Sequence, residues 1–136
     1  MRLELMRKTE LALLAMETLA ELDARTSGER LAEGIGTTRE FLPQVMAPLV
    51  KRNWVKSTRG PSGGYELAVG LPEVTVLDLI ETVEGATDRG QCVLSGSACD
   101  ADEPCALHDA WSRARDALLA ELGSISLADA AAAKVV

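Results

Sequence analysis

Residues 37–69 read TTREFLPQVMAPLVKRNWVKSTRGPSGGYELAV, and this stretch decides the predicted fold. Apolar side chains recur at helical spacing through residues 37–53, and Thr37 is a suitable N-cap for that helix. Two short alternating segments, residues 54–58 and 65–69, then flank RGPSGG, whose glycines and proline favour a tight turn. The stretch therefore predicts a helix followed by a β-hairpin with a basic, glycine-rich tip.

Two prolines lie inside the predicted helix. Pro43 falls near its first turn, where a missing N–H costs little, whereas Pro48 is expected to kink or interrupt it. The apolar spacing continues through both prolines, so the helix is retained in the prediction.

The flanking sequence adds further helices on both sides. Residues 9–22 form an apolar stripe with Thr9 as the expected N-cap, and Ser27 is expected to cap a short helix that ends near Gly34 or Gly36. Residues 75–85 and 105–122 predict two more helices, and the Ala-rich end ADAAAAKVV predicts a frayed tail. Three helices followed by a hairpin is the order of a winged helix-turn-helix.

The expected fold is therefore mainly α-helical, with a winged helix-turn-helix region over residues 1–85. Residues 86–136 would add a cysteine-bearing loop and a long C-terminal helix, and the two regions would form one compact unit. The apolar stripe of that last helix, which includes Trp111, Leu118 and Leu122, is too broad for a lone surface helix. We therefore expect it to dimerise, which makes the protein a homodimer.

The charge is unevenly distributed along the 136-residue chain, whose net charge is −7. Residues 1–70 carry ten Lys/Arg and nine Asp/Glu, while residues 71–136 carry four and twelve. Residues 39–65 contain five basic residues and one acidic residue. Because salt limits electrostatic reach to about 8–10 Å, this local basic surface matters more for phosphate contact than the total charge. The composition does not exclude DNA as a partner.

The sequence also constrains the cellular setting. It contains no run approaching the roughly 20 apolar residues of a membrane span and no signal-peptide pattern at its start. A cytoplasmic protein without a membrane partner is therefore expected, and its thiols would be kept reduced. Its three cysteines fit a disulfide framework poorly, which favours metal binding or redox chemistry.

All three cysteines and the single histidine lie in residues 90–111, GQCVLSGSACDADEPCALHDAW. Thiolates with one nitrogen or oxygen ligand suit an iron–sulfur cluster, and three cysteines with a histidine also suit zinc. The gaps of six and five residues exceed the spacing typical of zinc knuckles. Buried structural cysteines are a third reading, which the polar loop disfavours. Cys105 and His108 could form a thiolate–imidazole pair, but with no third orienting group we do not expect an enzyme.

Three segments together resemble one family, the Rrf-type winged-helix regulators, which include the IscR and NsrR branches. These are MRLELMRKTELALLAM, REFLPQVMAPLVKRNWVKSTRGPSGGYELA and the C-x6-C-x5-C-x2-H cluster, and RGPSGGY is close to the family's RGPGGGY. The likeness covers nearly the whole chain. It implies a homodimeric transcriptional regulator that binds a near-palindromic double-stranded DNA operator and carries an iron–sulfur cluster in each subunit.

The resemblance also implies a ligand set. Cys92, Cys99 and Cys105 would bind the cluster, and His108 matches the IscR-like branch, whose histidine accompanies a 2Fe–2S cluster. The NsrR-like branch instead takes a carboxylate from the partner's first helix and holds a 4Fe–4S cluster, and Glu10 occupies the matching position. We favour His108 and 2Fe–2S. A zinc-binding or cluster-free regulator, or an iron–sulfur carrier protein, are the alternatives.

The same likeness implies DNA contacts. Arg59 matches the family's DNA-reading arginine, whereas Pro43 stands where the IscR branch has a glutamate that tunes sequence preference. Lysines and arginines outside base-reading positions would contact phosphates. The expected DNA-binding residues are Thr38, Arg39, Glu40, Gln44, Lys51, Arg52, Lys56, Arg59 and Ser62.

Overall fold

The computed structural model describes residues 1–98 and 103–133, and within them it shows a mainly helical chain with one small sheet. The elements in chain order are α1 (Arg7–Leu22), α2 (Gly28–Ile35), α3 (Leu42–Lys51), β1 (Val55–Thr58), β2 (Gly64–Leu67), a 3₁₀ turn (Leu71–Glu73), α4 (Val76–Glu84), α5 (His108–Gly123) and α6 (Leu127–Ala132). Three helices followed by an antiparallel hairpin confirm the predicted winged-helix order.

The first helix begins at Arg7 rather than at the predicted cap, Thr9. Thr9 is buried inside the helix, and its hydroxyl donates a hydrogen bond to the carboxylate of Glu84 in α4. The same carboxylate accepts a hydrogen bond from the Met6 backbone N–H at 3.2 Å. A carboxylate from a distant helix therefore accepts the hydrogen bonds at the start of α1. The prediction that Thr9 is the N-cap was wrong.

The predicted helix over residues 37–53 is shorter in the structure. Thr38 Oγ1 accepts from the Phe41 N–H at 3.1 Å, and residues 39–41 form a turn before α3 starts at Leu42. Pro43 then lies in the first turn as expected, and Pro48 lies inside α3 without interrupting it. The helix is followed by Asn53 in a left-handed conformation, with φ +61°.

The hairpin is fixed to the body of the protein by its second strand. β1 and β2 pair from Val55 opposite Leu67 to Thr58 opposite Gly64. Tyr65 also exchanges two backbone hydrogen bonds, both 2.8 Å, with Thr26 in the α1–α2 connection. These bonds hold the hairpin, hereafter the wing, beside the start of α2.

The core lies where α1, α2 and α3 meet, and α4, α6 and β1 complete it. Leucine and other aliphatic residues fill it, as expected for a chain with only 3% aromatics. Each such side chain contributes about 1.5–3 kcal/mol on full burial. The largest fully buried side chains are those of Leu11, Met16, Leu19, Leu31, Leu42, Val45, Met46, Leu49, Val55, Val74, Leu79 and Leu127.

The C-terminal part departs from the sequence-based prediction in two ways. The Ala-rich segment forms α6, because Ser126 and Asp129 make a capping box and Leu127 is fully buried, so the prediction of a frayed tail was wrong up to residue 133. The last long helix starts at His108 rather than Cys105, and its first N–H donates to the Cys105 carbonyl at 3.1 Å. None of the sixteen residues of α5 is buried.

No helix in the described part of the chain is long and apolar enough to span a bilayer.

Candidate functional site

The residues predicted to contact DNA share one property in the structure, which is exposure. They lie on the turn before α3, on α3 itself and on the wing, and all nine are solvent-exposed: Thr38, Arg39, Glu40, Gln44, Lys51, Arg52, Lys56, Arg59 and Ser62. The hydroxyl of Thr38 is already used to accept from the Phe41 N–H. The turn before α3, α3 and the wing therefore present these residues on the protein surface.

A groove of about 370 Å³ separates the start of α3 from the wing. Arg39 and Pro43 line its helix side, and Thr58 and Gly60 line its wing side. The N-terminus of α2, capped by the Ser27 hydroxyl, closes one end. Because the start of α3 and the wing tip border the same groove of the protein, they can bind in neighbouring grooves of a DNA duplex.

Basic residues gather at the other end of α3. Gln44, Lys51 and Arg52 line a hollow of about 640 Å³ together with Lys8 of α1. The Arg52 guanidinium lies 4.6 Å from the centroid of the Trp54 ring, a cation–π contact that holds it in place. Sequence analysis missed Lys8, because only the packing of α1 against α3 brings it to this surface.

The cysteine loop encloses a smaller pocket of about 190 Å³. Cys92, Cys105 and His108 all line it, and the Cys105 side chain is one of the groups that lower the pKa of Cys92. Both cysteines are partly exposed. The third predicted ligand, Cys99, lies outside the described residues.

The chain around Cys92 is a tight turn that directs hydrogen-bond donors at sulfur. The Cys92 N–H donates to the Ser97 carbonyl at 2.7 Å, and the Gly96 N–H donates to the Cys92 carbonyl at 2.8 Å. The Ser95 N–H and hydroxyl, then the Leu94 N–H and the Cys105 thiol, lower the pKa of Cys92 from 9.0 to about 7. A thiol that ionises this readily is a better metal ligand, because the thiolate is the form that binds metal.

Two thiols and an imidazole are donors that iron–sulfur clusters use, so the ligand types at the pocket fit such a group. Within residues 1–98 and 103–133, however, no three ligand-type side chains converge as a metal site. Glu10 is not among the residues that line the pocket, and its carboxylate forms an exposed ion pair with Arg7 at 2.9 Å.

Two charged residues complete the pocket wall, and sequence analysis overlooked both. Asp88 and Arg115 line it and form an ion pair, with 3.4 Å between Arg115 Nη1 and Asp88 Oδ1. The helical spacing of His108, Ser112 and Arg115 on one face of α5 was the available signal.

The comparisons with known proteins agree with this geometry. A family profile described as "Rrf2: Iron-dependent Transcriptional regulator" matches residues 5–133. The chain belongs to the Rrf2 family. The predicted likeness to Rrf-type regulators is thereby confirmed.

Individual Rrf2 relatives give the same picture. The HTH-type transcriptional regulator IscR of Photorhabdus laumondii is 32% identical over 97 residues, which are 71% of this chain and 58% of that protein. Among solved structures, CymR, the global cysteine regulator of B. subtilis, is 30% identical with a TM-score of 0.76, covering 98% of this chain and 100% of that one. IscR of T. potens is 29% identical with a TM-score of 0.71, covering 93% and 85%. These Rrf2 relatives are transcriptional regulators and not enzymes, so this chain is a DNA-binding transcriptional regulator.

Proposed function

We propose that this Rrf2 regulator is a homodimer whose operator binding depends on an iron–sulfur cluster held by Cys92, Cys99, Cys105 and His108. Residues 1–85 would bind DNA, while residues 86–136 would hold the cluster and the dimer contact within one compact unit. When bound, the cluster supplies a group whose charge and integrity change with redox state, nitric oxide or cluster supply.

The observation that carries the cluster proposal is that Cys92, Cys105 and His108 line one pocket. Two cysteines from different parts of the loop thus come together with an imidazole of the same chain, and none of the three needs a second subunit to reach the pocket. Glu10 would have to leave its ion pair with Arg7 and arrive from the partner. His108 is therefore our choice for the fourth ligand, and 2Fe–2S our choice of cluster.

The proposed DNA contacts fall into two groups, residues that recognise base edges and residues that bind phosphates. Arg39, before α3, would read base edges because it lines the groove between helix and wing, and Arg59 because it lies between Thr58 and Gly60, which line the wing side of that groove. Lys51, Arg52 and Lys56 would contact phosphates and supply affinity that depends on salt. Lys8 joins this second group, since it shares the hollow that Lys51 and Arg52 line.

The homodimer is supported by α5 and the chain start. No α5 residue is buried, Leu118 is 41% exposed and Leu3 is 79% exposed. These two leucines line adjacent grooves of about 510 and 570 Å³, whose walls are mostly apolar. A two-fold partner would cover this surface and would match an inverted-repeat operator.

A cluster-free regulator is the second candidate. The likeness to CymR, the global cysteine regulator of B. subtilis, favours it. Operator binding would then be independent of iron and sulfide.

The absorption spectrum of anaerobically purified protein, with iron and sulfide counted, tests the proposal. Visible charge-transfer bands with two irons and two sulfides per chain are expected, and a colourless protein that binds its operator would establish the cluster-free candidate. Replacing His108 with Ala should abolish or strongly shift the bands, while Glu10→Ala should leave them nearly intact. Loss of the bands in Glu10→Ala alone, or four irons per chain, would instead assign the partner's carboxylate and a 4Fe–4S cluster.

A further inference from the structure

The ion pair between Asp88 and Arg115 forms part of the cysteine pocket but has no place in the proposed ligand set. Arg115 comes from α5, two turns after His108, and Asp88 comes from the segment between α4 and Cys92. The Arg115 side chain is only 22% exposed, whereas that of Asp88 is 55% exposed. The guanidinium is therefore held at the pocket wall, while its partner lies toward solvent.

Arg115 differs from the other arginine near this loop in how its nitrogens are used. Arg89 donates from Nη2 to the Glu84 carbonyl at 3.0 Å and from Nε to the Ala86 carbonyl at 3.2 Å, so its donors hold the backbone. Within the described part of the chain, Arg115 has one ion-pair contact, at 3.4 Å, which is long for a charge-assisted hydrogen bond. Among the described residues, Arg115 supplies the one Lys or Arg side chain that lines the cysteine pocket.

We propose that Arg115 is a positioning residue that stabilises negative charge in this pocket and thereby sets the reduction potential of the cluster. The inference rests on the proposed function. A cluster bound by three thiolates and a neutral imidazole carries net negative charge, and one-electron reduction adds another unit without breaking a bond. A partly buried cation beside it favours the reduced state, and a neighbouring carboxylate opposes it.

The two members of the ion pair should therefore act in opposite directions. Arg115→Gln should make the cluster harder to reduce, with the ratio of reduced to oxidised protein falling about tenfold at a fixed potential, or about 59 mV for a one-electron couple. Asp88→Asn removes an anion and frees Arg115 to face the pocket, so it should make reduction easier. Arg115→Lys keeps the charge and should restore most of the wild-type potential.

The experiment is an anaerobic redox titration of the full-length, cluster-loaded protein with optical detection, together with iron and sulfide counts for every variant. Arg113→Gln is the matched control, because Arg113 is an exposed α5 residue that does not line the pocket and its loss changes the net charge equally. A shift in Arg115→Gln at least three times that in Arg113→Gln, with the opposite shift in Asp88→Asn, supports the proposal.

The results that would refute the proposed function can be distinguished from those that would refute only the role of Arg115. If the wild-type protein binds no cluster, both the proposed function and this inference fail. If the wild type loads normally but Arg115→Gln shifts no more than Arg113→Gln, or Asp88→Asn shifts in the same direction as Arg115→Gln, only the role of Arg115 is refuted. Should Arg115→Gln not fold, as judged by circular dichroism, easier reduction of Asp88→Asn together with an unshifted Arg115→Lys supports the proposal, and any other combination refutes it.

Discussion

Gly64, the first residue of β2, is expected to be the least replaceable position of the wing. A Cβ at this position would lie 2.1 Å from the Thr26 carbonyl oxygen, 2.7 Å from its carbon and 3.0 Å from the Ser27 Cα. All three are backbone atoms, so no side-chain movement relieves the collision. Gly64 also has a φ of +149°, which side chains rarely adopt. Gly64→Ala must therefore push the wing away from the α1–α2 connection.

The size of the effect follows from what that movement breaks. Two hydrogen bonds between Thr26 and Tyr65 would be lost, each contributing about 1 kcal/mol, and the backbone strain adds about 1–3 kcal/mol. We expect Gly64→Ala to lower the free energy of unfolding by about 3–5 kcal/mol. Urea denaturation followed by circular dichroism, at one fixed protein concentration, measures it.

Gly34→Ala provides the matched control for the Gly64 prediction. Gly34 lies inside α2, and the nearest atom to an added Cβ is the Thr18 Cγ2 at 3.8 Å, an ordinary contact. Alanine there should raise the free energy of unfolding by about 0.5–1 kcal/mol, because it favours the helix. If Gly64→Ala unfolds within about 0.5 kcal/mol of wild type, the wing is not held by Thr26 in the way described.

Four further changes have defined outcomes. Arg59→Ala should weaken specific operator binding by about 1–3 kcal/mol in fluorescence anisotropy, and an unchanged footprint would show that the wing does not read bases. Lys51→Ala should reduce the slope of log affinity against log salt by about one while preserving the preference for operator over random DNA. Glu84→Ala should cost about 1–3 kcal/mol of stability by leaving the buried Thr9 hydroxyl without its acceptor, and a double-mutant cycle with Thr9→Val should show strong coupling. Because its pKa is lowered from 9.0 to about 7, Cys92 of the reduced, metal-free protein should react with iodoacetamide at a rate that rises through pH 7. The stabilisation by the Cys92 thiolate is complete above pH 9 and is lost as pH falls through about 7. A reactivity midpoint near pH 9 would contradict the hydrogen bonds from Ser95 and Leu94.

The sequence predicted those elements whose signals are local. The wing was recognisable because its turn residues and alternating strands lie within one short segment, and Ser27 was correctly assigned as the cap of α2. The start of α3 at Leu42 was not predicted, because the Thr38 hydroxyl accepts a hydrogen bond within the turn that precedes the helix instead of capping the helix. The sequence also contains the Ser126 capping box, but the alanine-rich composition that follows it favours a frayed end.

Features that depend on distant segments could not be predicted in the same way. Thr9 is a residue type that often caps helices, yet its hydroxyl donates a hydrogen bond to Glu84, which lies 75 residues later. Lys8 and Arg115 carry no motif, and only helix packing brings Lys8 beside Lys51 or Arg115 beside Asp88. The cysteines and His108 are predicted as ligands from their residue types, and the structure places Cys92, Cys105 and His108 around one pocket.

The Glu84 carboxylate that completes the first turn of α1 also imposes an order on folding. Its partners Met6 and Thr9 are synthesised long before it, so the first turn of α1 has no acceptor for these groups until α4 has docked. The rest of α1 can collapse early against α2 and α3, since those contacts are closer in sequence. We expect a φ-value near zero at Thr9 and higher ones at Leu11 and Leu19, with α1 closing from its middle outward.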